Sequence, residues 1–217
     1  MTRKEIKRQA KDALAKNRGN SILAMLLPII IYFGLYLIPF GLFRLTGQFI
    51  FLTLLYVLAL AFVPITVGIC HFFYRFKDDP EADLKLLLKG YENFFRSLGR
   101  LLQTWLFIYL WTLLLIIPGL IAIFSYAMVP YILGDDDIQK GLDGERPTIV
   151  SRRMMKGHRW ELFVMWLSFI GWIILGVLTF GILLIVFVGP YINQSYAIFY
   201  EKVKKNLPEK YFVPSES

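Results

Sequence analysis

The densest group of side chains able to do chemistry is "DDDIQKGLDGE", residues 135–145. Carboxylates at alternate positions around a tight turn are how a loop holds calcium. A calcium loop started at Asp135 would place Lys140 where the glycine turn belongs and Arg146 at the bidentate glutamate. The spacing therefore excludes an EF-hand. The pair Asp143–Gly144 could open a site for a metal and a nucleotide-linked lipid head group. That chemistry needs further spaced aspartates on a following helix, and they are missing. The segment reads as a solvated loop. Cys70 is the only cysteine, so neither a disulfide within the chain nor a cysteine metal cluster can form. His71 beside it lacks metal-ligand spacing, because adjacent helical residues point to different faces. It reads as packing near the end of a span.

The remaining candidate lies in "GPYINQS", residues 189–195. Proline inside a membrane helix frees a carbonyl and kinks the chain, and broken helices of this kind line the binding cavities of transporters. Pro190, Asn193, Gln194 and Ser195, with Tyr126, are the cavity candidates. The plainer reading is that proline is tolerated there and the polar groups bond between helices. No catalytic, cofactor-binding or metal-ligating residue is expected, and the chain reads as a non-enzyme.

What must position these residues is a membrane domain. The sequence is 57% hydrophobic and 18% charged, with a mean hydropathy of +0.55, well beyond a soluble domain. Apolar runs at 21–43 and 49–74 each exceed the roughly 20 residues needed to cross a ~30 Å hydrocarbon core. Further runs occupy 101–133 and 162–200. The polar N-terminal region and the length of the first apolar run do not fit a cleavable signal, so the first helix is expected to stay. No span centre carries Asp, Glu, Lys or Arg. That counts against a proton-coupled transporter, which needs a buried relay.

Basic residues in short loops remain on the cytoplasmic side. Segments 1–20, 75–100 and 134–160 and the tail hold 23 of the 24 Lys and Arg, leaving only Arg44. If 101–133 crossed once as a helix kinked at Pro118–Gly119, segment 134–160 would lie outside. A single helix of 33 residues would also be about 50 Å long. A turn at Pro118–Gly119 puts every basic segment inside, and Pro118 suits the first turn of a new helix. The legs 101–117 and 119–133 are short, roughly 26 and 22 Å, so a partial wedge is as consistent as two full spans. The expected fold is all-α: about six membrane helices at 21–43, 49–74, 101–117, 119–133, 161–176 and 182–200, within one domain 21–203. Both termini are cytoplasmic, and the tail 204–217 is polar.

Two amphipathic helices are expected on the cytoplasmic face. In segment 79–98, Asp79 serves as N-cap and Pro80 as first helical residue. Leu84, Leu87, Leu88, Tyr91, Phe94, Phe95 and Leu98 then form one stripe suited to the membrane interface, with Gly90 as its weak point. Residues 1–20 form a basic helix with Ile6, Ala10, Ala13 and Leu14 on one side. The expected partners are the lipid bilayer, with anionic lipids at the basic face, and a further membrane protein. Nucleic acid is excluded, because these charges sit at the ends of spans and not on a face projecting into solvent. The sequence has no G-x-x-x-G and sets no oligomeric state.

Several blocks carry a family resemblance: "IPGLIAIFSYAMVPYIL" (117–133), "SRRMMKGHRWELFVMWLSFIGW" (151–172), "LTFGI" (178–182) and "PYINQSYAIFYEKV" (190–203). Together with "EIKRQAKDALAKN" near the start, they resemble a bacterial family of small integral membrane proteins, domain-of-unknown-function family 975. The resemblance implies a bacterial cytoplasmic membrane and brings no catalytic residue or substrate. Within the second block, Ser151–Lys156 should be helical with Val150 and Met154 on its apolar side. Gly157 should let the chain bend, Trp160 and Trp172 should mark opposite interfaces, and Ser168 and Gly171 should admit a close helix neighbour. The expected function is an accessory or assembly role exercised through the cytoplasmic face or lipid contacts. The alternative is a small transporter or lipid-handling protein with a cavity along the kinked helices.

Overall fold

The computed structural model describes residues 1–212, with the backbone alone at 116 and 117. The described residues are helical throughout, without strands. Helix α1 (Arg3–Lys16) opens with a capping box: the Thr2 hydroxyl accepts from the Glu5 amide, and the Glu5 carboxylate accepts from the Thr2 amide at 2.6 Å. Its apolar side is the expected one. Ile6, Ala10, Ala13 and Leu14 are buried, by protein contacts with the last long helix rather than at an open interface.

Helix α2 (Arg18–Thr46) runs for 29 residues with Pro28 and Pro39 inside it, and ends at Gly47 in the left-handed conformation. Helix α3 (Phe49–Phe62) returns beside it, and α4 (Ile65–Phe76) continues the same direction after a break at Pro64. Proline has no N–H for the helical ladder, which accounts for the break. Burial begins at α4, where Val67, Gly68, His71, Phe72, Phe73 and Phe76 enter the core.

The single interface helix expected over 79–98 does not form. Asp79 accepts from Glu81 in a turn, and Asp83 caps a 3₁₀ turn at Leu84–Leu88. A four-residue helix α5 (Lys89–Glu92) follows, and α6 (Phe94–Leu114) starts after a break at Asn93. The cause is tertiary. A Cβ on Gly68 would sit 1.8 Å from the Leu87 carbonyl oxygen, and one on Gly90 would sit 2.0 Å from that of Pro64. The two glycines thus let the segment's backbone press onto α4, and the straight stripe is lost. Leu87 is buried while Phe95 is 86% exposed.

Helices α6 and α7 (Ile116–Tyr126) form an antiparallel hairpin, not one kinked helix. The turn is an extended residue at Leu115, three positions before Pro118, which occupies the first turn of α7. Gly119 permits the close approach: a Cβ there would lie 2.4 Å from Thr112 Oγ1. The second leg stops at Tyr126 and resumes as α8 (Val129–Gly134). Helices α9 (Asp136–Gly141) and α10 (Pro147–Met154) follow. Val150 and Met154 are buried as the pattern required, and Gly157 turns the chain with φ +87°.

Helix α11 (Arg159–Leu167) and helix α12 (Ile170–Leu178) are separated by a break at Ser168–Phe169. The packing expected at Gly171 is wrong: a Cβ there meets nothing within 4 Å, because the residue is exposed. The glycine that admits a neighbour is Gly176, against Leu184. Trp160 is exposed, and Trp172 packs half-buried against Phe187. After a turn through Phe180 and Gly181, both at positive φ, the chain widens into a π-helical stretch at Leu184–Val188. It ends at Val188, two residues before Pro190, whose missing N–H removes an ordinary α-helical bond. Helix α13 (Gly189–Lys204) then forms the centre of the molecule, with α1 and α4 packed against it. Three helical stretches are long and apolar enough to cross a membrane: Arg18–Thr46, Phe49–Phe76 and Arg159–Leu178. The hairpin legs and residues 182–200 fall short of that standard as continuous α-helices.

Candidate functional site

The acidic segment is not wholly a solvated loop. Asp136 is exposed and pairs with Lys89, Asp137 is half-exposed, and Asp135 is 4% exposed and caps α9. Its Oδ2 accepts from the Tyr200 hydroxyl at 2.8 Å and from Lys204 Nζ at 2.5 Å, both on α13. Burial opposes the Lys204 charge, but Asp135 more than offsets it and holds the ammonium's pKa above the ordinary lysine value. This is a lock between α9 and α13. Among the described residues no cluster of His, Cys, Asp and Glu is arranged to hold a metal. His71 is buried with Nδ1 unpaired, its side chain packed under Gly134.

The five cavity candidates do not come together. Asn193 donates to the Gly189 carbonyl at 2.9 Å, one turn back on its own helix, and Ser195 does the same to Tyr191 at 2.8 Å. Gln194 is completely buried, and neither end of its amide has a partner. Pro190 lines a cleft of about 310 Å³ with Lys11, Arg18, Ile22, Val186 and Phe187. Tyr126 lines a different one, of about 160 Å³, and neither cleft is lined by Asn193, Gln194 or Ser195.

The Tyr126 cleft is built by two tethers. Ser151 on α10 donates to the Ser125 carbonyl on α7 at 2.8 Å, and Phe124 of α7 meets Phe163 of α11 edge-to-face. These contacts bring Arg152 and Arg159 to the mouth of the α6–α7 hairpin, opposite Trp111, Pro118, Ile121 and Ala122. One wall is cationic and the other apolar. Among the described residues no carboxylate lines the cleft, and none supplies an acceptor to the buried Arg159 Nε. Such an arrangement can hold an anion that carries an apolar tail. Sequence reasoning counted both arginines only as markers of sidedness. The available signal was their position flanking the Gly157 turn in "RRMMKGHR".

The molecule is therefore an all-helical protein with three helices suited to a bilayer. A family model described as a protein of unknown function, DUF975, matches residues 97–207, more than half of the chain, and the chain belongs to that family. Every residue lining the Tyr126 cleft lies inside the matched region. No curated protein and no solved structure matches the chain.

Proposed function

We propose that this is a multi-pass protein of a bacterial cytoplasmic membrane, with both termini and the basic segments cytoplasmic. Its role is non-enzymatic: it acts through lipid contacts and its cytoplasmic face, as an accessory or assembly factor for another membrane protein. The observation that carries the reading is the segregation of charge from exposed apolar surface. Helix α3 has no buried residue, and with α2 it leaves Ile30, Leu37, Leu45, Phe49, Ile50 and Tyr56 open. A patch of that kind is untenable in water and ordinary against lipid. The charges gather instead at the opposite ends of these helices, Arg44 excepted. The transporter reading has less support, because the cleft lined by Pro190 is lined by neither Asn193 nor Gln194.

Single cysteines in a Cys70→Ser background test the sidedness. Leu115→Cys and Phe180→Cys, both at exposed turns, should react with an impermeant thiol reagent added to intact cells. Asp83→Cys and Lys140→Cys should react only after lysis. Labelling of Lys140→Cys in intact cells would overturn the topology.

A further inference from the structure

Four largely covered lysines are paired with carboxylates, and half-buried Lys7 and Arg100 have neutral acceptors, the Ser168 carbonyl and the Gln103 amide oxygen. Lys77 meets Glu201, Lys89 meets Glu92 and Asp136, Lys202 meets Glu161, and Lys204 meets Asp135, with side chains only 12–20% exposed. Arg159 departs from that pattern. It is half-buried, its Nε is fully covered, and among the described residues no carboxylate lies in salt-bridge range. Arg152, which is exposed, reaches the same cleft from α10, and no carboxylate pairs with it among the described residues. A covered guanidinium N–H left without an acceptor costs about 1–3 kcal/mol or more. A fold that keeps one at the mouth of a cleft has a place for an acceptor supplied from outside.

We propose that this cleft binds the phosphate of an anionic glycerophospholipid, clamped between Arg152 and Arg159. Guanidinium forks match phosphate oxygens in geometry and charge. The volume, about 160 Å³, is that of roughly five waters at ≈30 Å³ each. It takes a phosphate and adjoining glycerol atoms but not acyl chains. The chains leave along the exposed apolar face of the hairpin below its turn, at Leu110, Trp111 and Ile121. That apolar exit selects a lipid over free phosphate. The proposal rests on the membrane reading above, since it needs the hairpin to lie in lipid.

The test uses the full-length protein purified in detergent, with bound lipid read by native mass spectrometry during titration with phosphatidylglycerol, phosphatidylcholine or inorganic phosphate. Wild type should take up one phosphatidylglycerol preferentially. Arg159→Gln and Arg152→Gln should each weaken that binding roughly tenfold, while Lys156→Gln, an exposed cation outside the cleft, should leave it unchanged. Ala122→Leu narrows the cleft from the apolar wall without touching charge, and should also release the lipid. This keeps the test decisive if an arginine variant fails to fold. Equal loss with Lys156→Gln would mean general attraction to a basic face and would overturn the proposal. So would binding that inorganic phosphate displaces fully, or binding indifferent to Ala122→Leu. Cysteine labelling reports the topology separately, so a failed lipid site and a failed membrane arrangement give different results.

Discussion

Helix α3 has no buried side chain in 14 residues, whereas α13, of 16 residues, buries nine. Yet α3 is the more apolar of the two, and the buried face of α13 includes Gln194, Ser195 and Tyr200. In water that order would be reversed. In a bilayer, lipid chains are as apolar as leucine, so hydrophobicity alone does not bring helices together. Close backbone approach and polar contacts do. Region α2–α3 is written for lipid. Region α4–α13 is written for protein neighbours, and its glycines and charges are the parts that cannot be exchanged.

The sharpest break in that comparison is at glycine. Gly68→Ala puts a Cβ 1.8 Å from the Leu87 carbonyl, so backbone must move. The expected result is loss of about 3 kcal/mol or more and little monodisperse protein in detergent. Gly34→Ala in α2, with open space around it, should be neutral or slightly stabilising by helix propensity. Equal effects at the two sites would erase the distinction between the regions.

Next in size is the Asp135 lock. Asp135→Ala leaves Lys204 covered and unpaired, and should lower stability by about 3 kcal/mol in thermal unfolding. Adding Lys204→Met should recover much of that loss, because the stranded charge goes with it. Failure of the second change to help would mean that the pair is solvated.

A smaller effect belongs to the C-terminal turn at Glu209–Tyr211. Glu145 accepts from the Tyr211 hydroxyl and pairs with Arg153 at 3.0 Å. The Tyr211 bond, with help from Arg153, holds the Glu145 pKa below the ordinary 4.5 despite some desolvation. The folded value is the lower one, so the stabilisation is present above about pH 4.5 and is lost as pH falls through the folded value. Amide exchange at 209–212 should rise in that window. In Glu145→Gln it should already be raised at neutral pH, with the pH dependence gone. Least of all, Gly171→Leu should leave the thermal midpoint unmoved, since the site is open.

Local pattern was legible. The apolar side of α1 followed from the spacing of Ile6, Ala10, Ala13 and Leu14, and Val150 and Met154 from a similar spacing, because each helix presents one face to the core. The hairpin followed from charge sidedness and from Pro118. Its turn lay earlier because Leu115 takes the extended conformation that ends α6. What failed to show was long-range. Residues 79–98 break up because Gly68 and Gly90 admit backbone from distant positions. Gly171 was expected to admit a neighbour and Gly176 was not considered, because the break at Ser168–Phe169 turns the face of the helix, which spacing cannot show. Asp135 differs from Asp136 and Asp137 only through Tyr200 and Lys204, 65 and 69 positions away. The cleft arginines were visible as charges. Their missing partners were not.

The burial of α1 against α13 also has a consequence for biosynthesis. The Ile6, Ala10 and Leu14 face is made long before α13, which covers it. At 5–20 residues per second, the ribosome needs roughly 10–40 s to travel from one helix to the other. Throughout that interval a basic, amphipathic segment lacks its main cover. The basic residues that flank its apolar face suit it to rest on an anionic leaflet meanwhile. Lys7, which ends over the ring of Phe169, and Lys11, over that of Tyr191, would then trade lipid head groups for aromatic faces as first the α11–α12 break and then α13 arrive.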